Sequence, residues 1–251
     1  MGIVNTEAIV NVIGLGGVGS IVARYGAVLL ASQADYPDSL MLIDGDKFEP
    51  SNATRMWFGG ETGNKADVVK RQIGTGIQPA NLSIMAVPNY ILGDNAHKII
   101  VENTINLVCV DNFKTRKLIS DHCRTLDNTV LISAGNDGVG PDATGVERSG
   151  TYGNCQWFGR MDGEDRCQPI DKYHPEIANP QDKLPTEDCT MAVMSTPQLL
   201  AANLMAASTI INSLWLTLTN KIHYTELSFD IAKGIMNTCP WPDKIDEGAK
   251  L

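Results

Sequence analysis

The stretch IDGDKFEPSNATR carries Asp44, Asp46, Asn52 and Arg55, and Lys65 follows shortly after it in GNKADVV. Ahead of it lies GLGGVGS, which satisfies G-x-G-x-x-G with Gly14, Gly16 and Gly19 and holds a further glycine, Gly17. Between a strand and a helix, glycines at this spacing let the backbone approach phosphate. The helix N-terminus adds unpaired N–H groups and the positive end of a dipole. By itself the pattern predicts only that a nucleotide phosphate binds; dehydrogenases satisfy it equally well. Asp44 falls on the order of 20 residues past the loop, where an acid that bonds a ribose is expected. Asp46 and Glu49, each taken alone, are solvated loop acids. The combination discriminates. Asn52 and Arg55 would share one side of a short helical turn, and with Lys65 they direct an amide and two cations at the glycine loop. That clamp suits a triphosphate, whereas a dinucleotide has no third phosphate to hold.

Asp111, in LVCVDNFKTR, falls at the carboxyl end of an apolar strand, where open α/β sheets place their ligands. A carboxylate beside phosphate-binding cations suits Mg2+, which prefers carboxylates together with phosphate oxygens. The blander reading of Asp111 is a helix N-cap, a role Asn112 would fill equally well.

These residues need a scaffold. The apolar runs AIVNVIG, SLMLID, LSIMAV, INLVCV and TVLISAG predict buried parallel strands. Between them, SIVARYGAVLLA, NKADVVKRQIG, GDNAHKIIVEN and FKTRKLISDHCRTL have helical patterning, the second capped by Asn64. The alternation predicts an α/β, Rossmann-like, doubly wound and mostly parallel sheet. Residues 134–188 break the pattern with Gly, Asp, Pro and Asn, and predict a long crossing loop with strands only in TGVERS and TYGNCQWF. A helix over residues 195–219 and a terminal hairpin, KIHYTELSFDIAKGIMNT, complete the chain. We read residues 1–251 as a single domain, with a nucleotide-binding half over 8–133 and the crossing loop, helix and hairpin over 134–251.

The net charge of −9 argues against nucleic acid as the main partner, because phosphate backbones are bound by a surplus of Lys and Arg. The most apolar segment, LLAANLMAASTIINSLWLTL, carries two Asn and several hydroxyls and predicts a buried helix rather than a membrane span. No basic n-region precedes an apolar run at the N-terminus. None of the six cysteines is paired as C-x-x-C, so no structural zinc is expected, and the spacings of Cys155, Cys167, His174 and Cys189 fit no ligand pattern. The expectation is a cytoplasmic protein with reduced thiols.

In their order and spacing, GLGGVGS, IDGDKFEPSNATR, GNKADVV and VDNFKTRK resemble the ThiF/MoeB and ubiquitin-activating enzyme superfamily. LISAGNDGVGPDATGV looks like the strand–turn–strand that follows the magnesium Asp there. DCTMAVMSTPQLLAANLMAA and HYTELSFDIAKG are most similar to the stand-alone ThiF-family proteins of bacterial PRTRC and ubiquitin-like modification operons. The resemblance implies ATP-dependent adenylation of the C-terminal glycine carboxylate of a ubiquitin-like protein, by a homodimer. It implies that Asp44 holds the ribose, that the glycine loop, Asn52, Arg55 and Lys65 hold phosphates, and that Asp111 holds Mg2+. Asp46 occupies the second acidic position and supports the site.

Some members pass the adenylate to a cysteine, and Cys189 in EDCTMAVMSTP resembles that position. The adjacent Glu187 and Asp188 oppose a lowered thiol pKa, and a buried structural cysteine is the alternative. The chain departs from the pattern in three places. Met56 stands where many relatives have Gln, the Arg that reaches the partner's ATP in MoeB-type relatives is expected to be missing or replaced, and the zinc-binding C-x-x-C pairs are absent from the sequence. Alternatives are adenylation of a small peptide or acid, a nicotinamide or flavin oxidoreductase, and a non-catalytic nucleotide-binding relative.

Overall fold

The computed structural model describes residues 7–54, 56–57, 59–76, 81–141, 145–182, 184–185 and 198–240. Arg55 and Cys189 lie outside the described residues.

Five strands form the parallel part of the sheet: β1 (Ile9–Ile13), β2 (Ser39–Ile43), β3 (Ser83–Val87), β4 (Thr104–Val108) and β5 (Thr129–Asn136). Their spatial order is β3-β2-β1-β4-β5. Val12 of β1 lies in register with Leu42 on one side and Leu107 on the other. Helix α1 (Gly19–Ala31) links β1 to β2, α2 (Lys65–Gly76) links β2 to β3, and α3 (Phe113–Cys123) links β4 to β5. The strands read as continuous apolar runs because layers cover both faces, so Val10, Val12, Leu40, Leu42 and Leu107 are all fully buried. The order turns back between β1 and β4, so a crevice opens beyond the carboxyl ends of those two strands, the usual ligand position in such sheets.

The segment GDNAHKIIVEN forms only one short helical turn, Ala96–Ile99. It stops because Ile100 is extended and Asn103 takes a left-handed φ of 59°.

Beyond β5 the sheet continues antiparallel with β6 (Tyr152–Met161), β7 (Tyr224–Asp230) and β8 (Ile235–Pro240), in the order β5-β6-β7-β8. The two-residue strand Glu164–Asp165 pairs with the end of β6 and brings the sheet to nine strands. The strand expected in TYGNCQWF is present within the 134–188 segment, and the structure extends it to ten residues as β6 and places it in the middle of the extension. The sequence leaves its far end unmarked because Gly159 looks like a loop residue. A Cβ at Gly153 would meet the Phe229 ring at 2.3 Å, and one at Gly159 would meet the Trp157 ring at 2.3 Å. The glycines make room for neighbouring aromatics within a packed sheet.

Helix α4 (Leu200–Leu218) packs on α1, β5 and β6. Its Ala202, Ala206, Ala207, Ile210 and Leu214 are buried, and Thr217 Oγ1 accepts the Trp157 indole N–H at 3.0 Å. It is long and apolar enough to cross a membrane, yet half of its apolar window is buried inside the protein. This is the pattern of a core helix.

Candidate functional site

A cleft of about 1020 Å³ lies at the carboxyl ends of β1, β2, β4 and β5. Gly14, Gly16, Gly17, Asp44, Asp46, Asn52, Lys65 and Asp111 all line it. Gly19 does not.

The glycines divide the work of the loop. Gly14 has φ +84°, which an L side chain rarely adopts, and a Cβ there would press on Val110. Gly19 brings α1 against the strand: a Cβ would lie 1.7 Å from the Gly14 carbonyl oxygen. Nothing lies within 4 Å of a Cβ at Gly16, so that side of the loop is open. Val18 caps α1 without a side-chain hydrogen bond, so the helix start faces the cleft without a built-in acceptor.

Asp44 is buried at the end of β2 and fastens the loop. Its Oδ2 accepts the Leu15 N–H at 2.6 Å and its Oδ1 accepts the Asp46 N–H at 2.8 Å. Burial pushes its carboxyl above the usual range, against the pull of Lys65 and these two N–H groups. Asp46 accepts from Lys65 Nζ at 2.8 Å and from the Tyr90 hydroxyl. Burial acts to raise its pKa, but the Lys65 ammonium and the Lys65 and Tyr90 hydrogen bonds prevail and hold it below the ordinary value.

A small ribbon of Lys47–Phe48 against Gly63–Asn64 folds the start of α2 back onto this loop. Asn64 makes the junction. Its Oδ1 caps the helix at Ala66 N, while its Nδ2 donates to the carbonyls of Asp44 and Asp46 at 2.8 and 3.0 Å. The Lys65 N–H also bonds Asp46 O at 2.9 Å. The lysine is therefore positioned through both backbone and side chain. Asn52 sits in the 3-10 turn Pro50–Thr54, where its Oδ1 accepts the Glu49 N–H at 3.2 Å.

Across the crevice, α3 begins at Asn112, whose side chain caps it by accepting Thr115 N–H at 2.8 Å and Thr115 Oγ1 at 3.0 Å. Asp111 is thus spared the capping role. Its carboxylate is exposed in the cleft, with no hydrogen bond or ion pair among the described residues. The crossing segment reaches the same place, for Asp182 accepts the N–H groups of Phe113 and Lys114. At its other end His174 bridges two acids, Nδ1 to Glu176 at 3.0 Å and Nε2 to Glu226 of β7 at 3.1 Å. Glu226 also accepts from Asn154 of β6 at 2.9 Å.

Tyr90 escaped the sequence reading. Its ring lies on Gly45, where a Cβ would come within 2.5 Å of a ring carbon, and the ring joins the cleft wall. The available signal was the glycine directly after Asp44, which leaves room for a flat side chain. Arg116 was also missed, although it too lines the cleft. Among the described thiols, burial raises Cys109, Cys123 and Cys167 to about 12 and Cys155 to about 11, which leaves all four as inert thiols. Among the described residues no three His, Cys, Asp or Glu cluster as metal ligands.

The fold is similar to that of solved E. coli MccB. Against MccB with MccA-N7isoASN the TM-score is 0.66 at 17% identity, covering 95% of this chain and 65% of that one. Against MccB with ATP it is 0.65 at 17% identity, with coverage of 95% and 65%. PaaA gives 0.63 at 15% identity, covering 94% of this chain and 64% of its own. The chain thus spans 65% of the MccB length in the first two comparisons, and identities this low show a shared fold alone. No curated protein sequence matches it. The sequence pattern of the ThiF family does match, over residues 6–247, and the chain belongs to that family.

Proposed function

We propose that this protein adenylates the C-terminal carboxylate of a ubiquitin-like protein, with ATP and Mg2+. One observation carries the reading: a glycine loop open at Gly16, the Lys65–Asp46 pair and the unengaged Asp111 carboxylate all line one cleft at the switch point of the sheet. We assign Asp44 to the ribose and Asn52, Arg55 and Lys65 to the phosphates, a reading supported by Asp44, Asn52 and Lys65 lining the same cleft. Asp111 fits a hard cation, because Asn112 has taken over the helix cap. Mg2+ held there would bind phosphate oxygens and neutralise charge that develops on pyrophosphate.

In the reaction a carboxylate oxygen of the substrate forms a bond to the α-phosphorus, the α–β phosphoanhydride bond breaks, and pyrophosphate leaves with the electron pair. No proton moves, so the residues act by positioning and charge neutralisation. We assign the cytoplasm as its place of action and a homodimer as its state. The dimer assignment draws support from exposed apolar residues on the adjacent helices α1 (Tyr25, Val28) and α4 (Leu204, Trp215). Transfer of the adenylate to Cys189 as a thioester extends the same reading. Adenylation of a short peptide or small acid is the second reading. It draws on the likeness to MccB, described as a microcin C7 biosynthetic enzyme in complex with N-formylated MccA.

The test is pyrophosphate exchange with MgATP, labelled pyrophosphate and a Gly-ending ubiquitin-like protein. Label entering ATP only when that carboxylate is present supports adenylation; ATP binding without exchange points to a binding module; no ATP binding sinks the proposal. Intact-mass measurement of wild type and Cys189→Ala then tests the thioester.

A further inference from the structure

Arg116 is a charged group with an unusual set of partners. It lies on α3 and is only 6% exposed. Its Nε and Nη2 donate to the Val110 carbonyl at 3.0 and 2.7 Å, Nη2 also to the Ala134 carbonyl at 2.9 Å, and Nη1 to Ser133 Oγ at 3.2 Å. Every one of these acceptors is neutral. No carboxylate among the described residues is within ion-pair distance of the guanidinium. A buried cation without an acid partner is costly, and a guanidinium is usually buried to meet an anion. Carbonyl oxygens satisfy its N–H groups but leave its net charge in place.

That charge faces the cleft. Arg116 and Gly135 both line it, and a Cβ at Gly135 would come within 2.5 Å of Nη2, so this end of β5 lies over the guanidinium only because it has no side chain. The ionisable groups felt by the guanidinium are the carboxylates of Asp111 and Glu176 and the neutral thiols of Cys109 and Cys155. The glycine loop and Lys65 belong to the β1 and β2 side of the crevice, whereas Arg116 is held by the ends of β4 and β5. The triphosphate has its cations on the first side. The second side has a buried cation of its own, placed for the other anionic reactant.

We propose that Arg116 is a positioning residue for the substrate carboxylate: it draws that anion to the Gly135 end of the cleft and holds it for attack on the α-phosphorus. The inference rests on the adenylation reading and adds the group that selects a free carboxylate over its neutral amide. Binding to Asp111 of a divalent cation, as that reading requires, would engage one of the two carboxylates that the guanidinium feels and strengthen the pull of Arg116 on a substrate anion.

The experiment uses the full chain with a non-hydrolysable MgATP analogue and two probes, an oligopeptide ending in Gly-Gly with a free carboxylate and the same peptide as its C-terminal amide. Wild type is expected to bind the acid at least about tenfold more tightly than the amide, a difference of ~1.4 kcal/mol. Arg116→Gln is expected to bring the two within about twofold while nucleotide affinity stays within the same margin, and Arg116→Lys to restore part of the preference. An unchanged acid-to-amide ratio in Arg116→Gln overturns the proposal. So does wild type that binds both probes equally or neither, or a parallel loss of nucleotide and peptide affinity, which marks a purely structural clasp. Should Arg116→Gln not fold, Arg116→Lys decides: its ratio must fall severalfold, because the shorter, point-like charge sits differently. Pyrophosphate exchange on the same samples separates the two claims. Acid-selective binding without exchange removes adenylation and keeps the carboxylate site, whereas exchange indifferent to Arg116 does the reverse.

Discussion

Lys65 Nζ lies 2.8 Å from Asp46 Oδ2, and the Tyr90 hydroxyl bonds the other oxygen of the same carboxylate. The lysine that lines the cleft with the glycine loop is therefore presented on an acid that is itself held from the loop after β3. Asn64, which bonds the carbonyls on both sides of Gly45, keeps the acid and the lysine in one rigid junction.

Lys65→Ala removes the cation and leaves a half-exposed carboxylate still bonded to Tyr90. Pyrophosphate exchange is expected to fall by about 10² to 10³, the usual loss for one preorganised electrostatic contact. The melting temperature should change little. Exchange at the wild-type rate contradicts the assignment of Lys65 to phosphate.

Two glycines of the loop should separate binding from folding. Gly16→Ala meets no protein atom within 4 Å, so denaturant unfolding is expected to be unchanged while nucleotide affinity falls about tenfold, ~1.4 kcal/mol. Gly19→Ala places a methyl 1.7 Å from the Gly14 carbonyl oxygen and is expected to cost about 1–3 kcal/mol of stability as well as nucleotide binding. Equal unfolding midpoints for the two variants contradict this division.

Asp111→Asn keeps the shape of a side chain that makes no hydrogen bond among the described residues, so the fold is expected to persist. Exchange should drop on the order of 10² and require more Mg2+ for half-maximal rate. A variant with the wild-type Mg2+ titration curve places the cation elsewhere.

His174 ties the crossing segment to β7, and the tie depends on pH. Its hydrogen bonds to Glu226 first, and then Glu176, raise its pKa above the ordinary 6.5 against the opposing effect of burial. The stabilisation is therefore full below 6.5 and is lost as pH climbs through the raised value. For Glu226, burial acts to raise the pKa, but the bonds from His174 and Asn154 prevail and hold it below 4.5. Its contribution is present above 4.5 and is lost as pH falls through the lowered value. The gap in melting temperature between wild type and His174→Gln should be widest between about pH 4.5 and 6.5 and narrow on either side. A gap that does not vary with pH rules out the charged bridge.

Much of the parallel half was legible because its signals are local. Apolar runs ending in Gly or Asp marked β1, β2 and β4, helical spacing marked α1 and α2, and Asn64 was recognisable as a cap from its place before Lys65. The cleft-lining set from Gly14 to Lys65 could be named for the same reason. Strand ends and helix starts carry these residues, and strand and helix starts follow from short-range patterning. The extension beyond β5 was legible in part: TYGNCQWF and the terminal hairpin marked β6, β7 and β8, but not the full length of β6 or its place in the main sheet. Gly159 is conformationally neutral in sequence, and only the neighbouring Trp157 ring shows that it belongs inside a sheet.

By itself the sequence determined the α/β alternation, the phosphate-type loop and the presence of Asp44, Asp46, Asn52, Lys65 and Asp111 at the ends of elements, because each of these depends on neighbours a few residues away. The tertiary structure alone decided that Asn112 rather than Asp111 caps α3, that Tyr90 braces Asp46, and that Arg116 is buried among carbonyls with no acid of the described residues within ion-pair distance. The last two facts depend on groups brought together from distant parts of the chain, whereas the cap turns on the local backbone at Asn112. A side chain's charge is written in the sequence, but whether that charge has a partner is settled only by what packs around it.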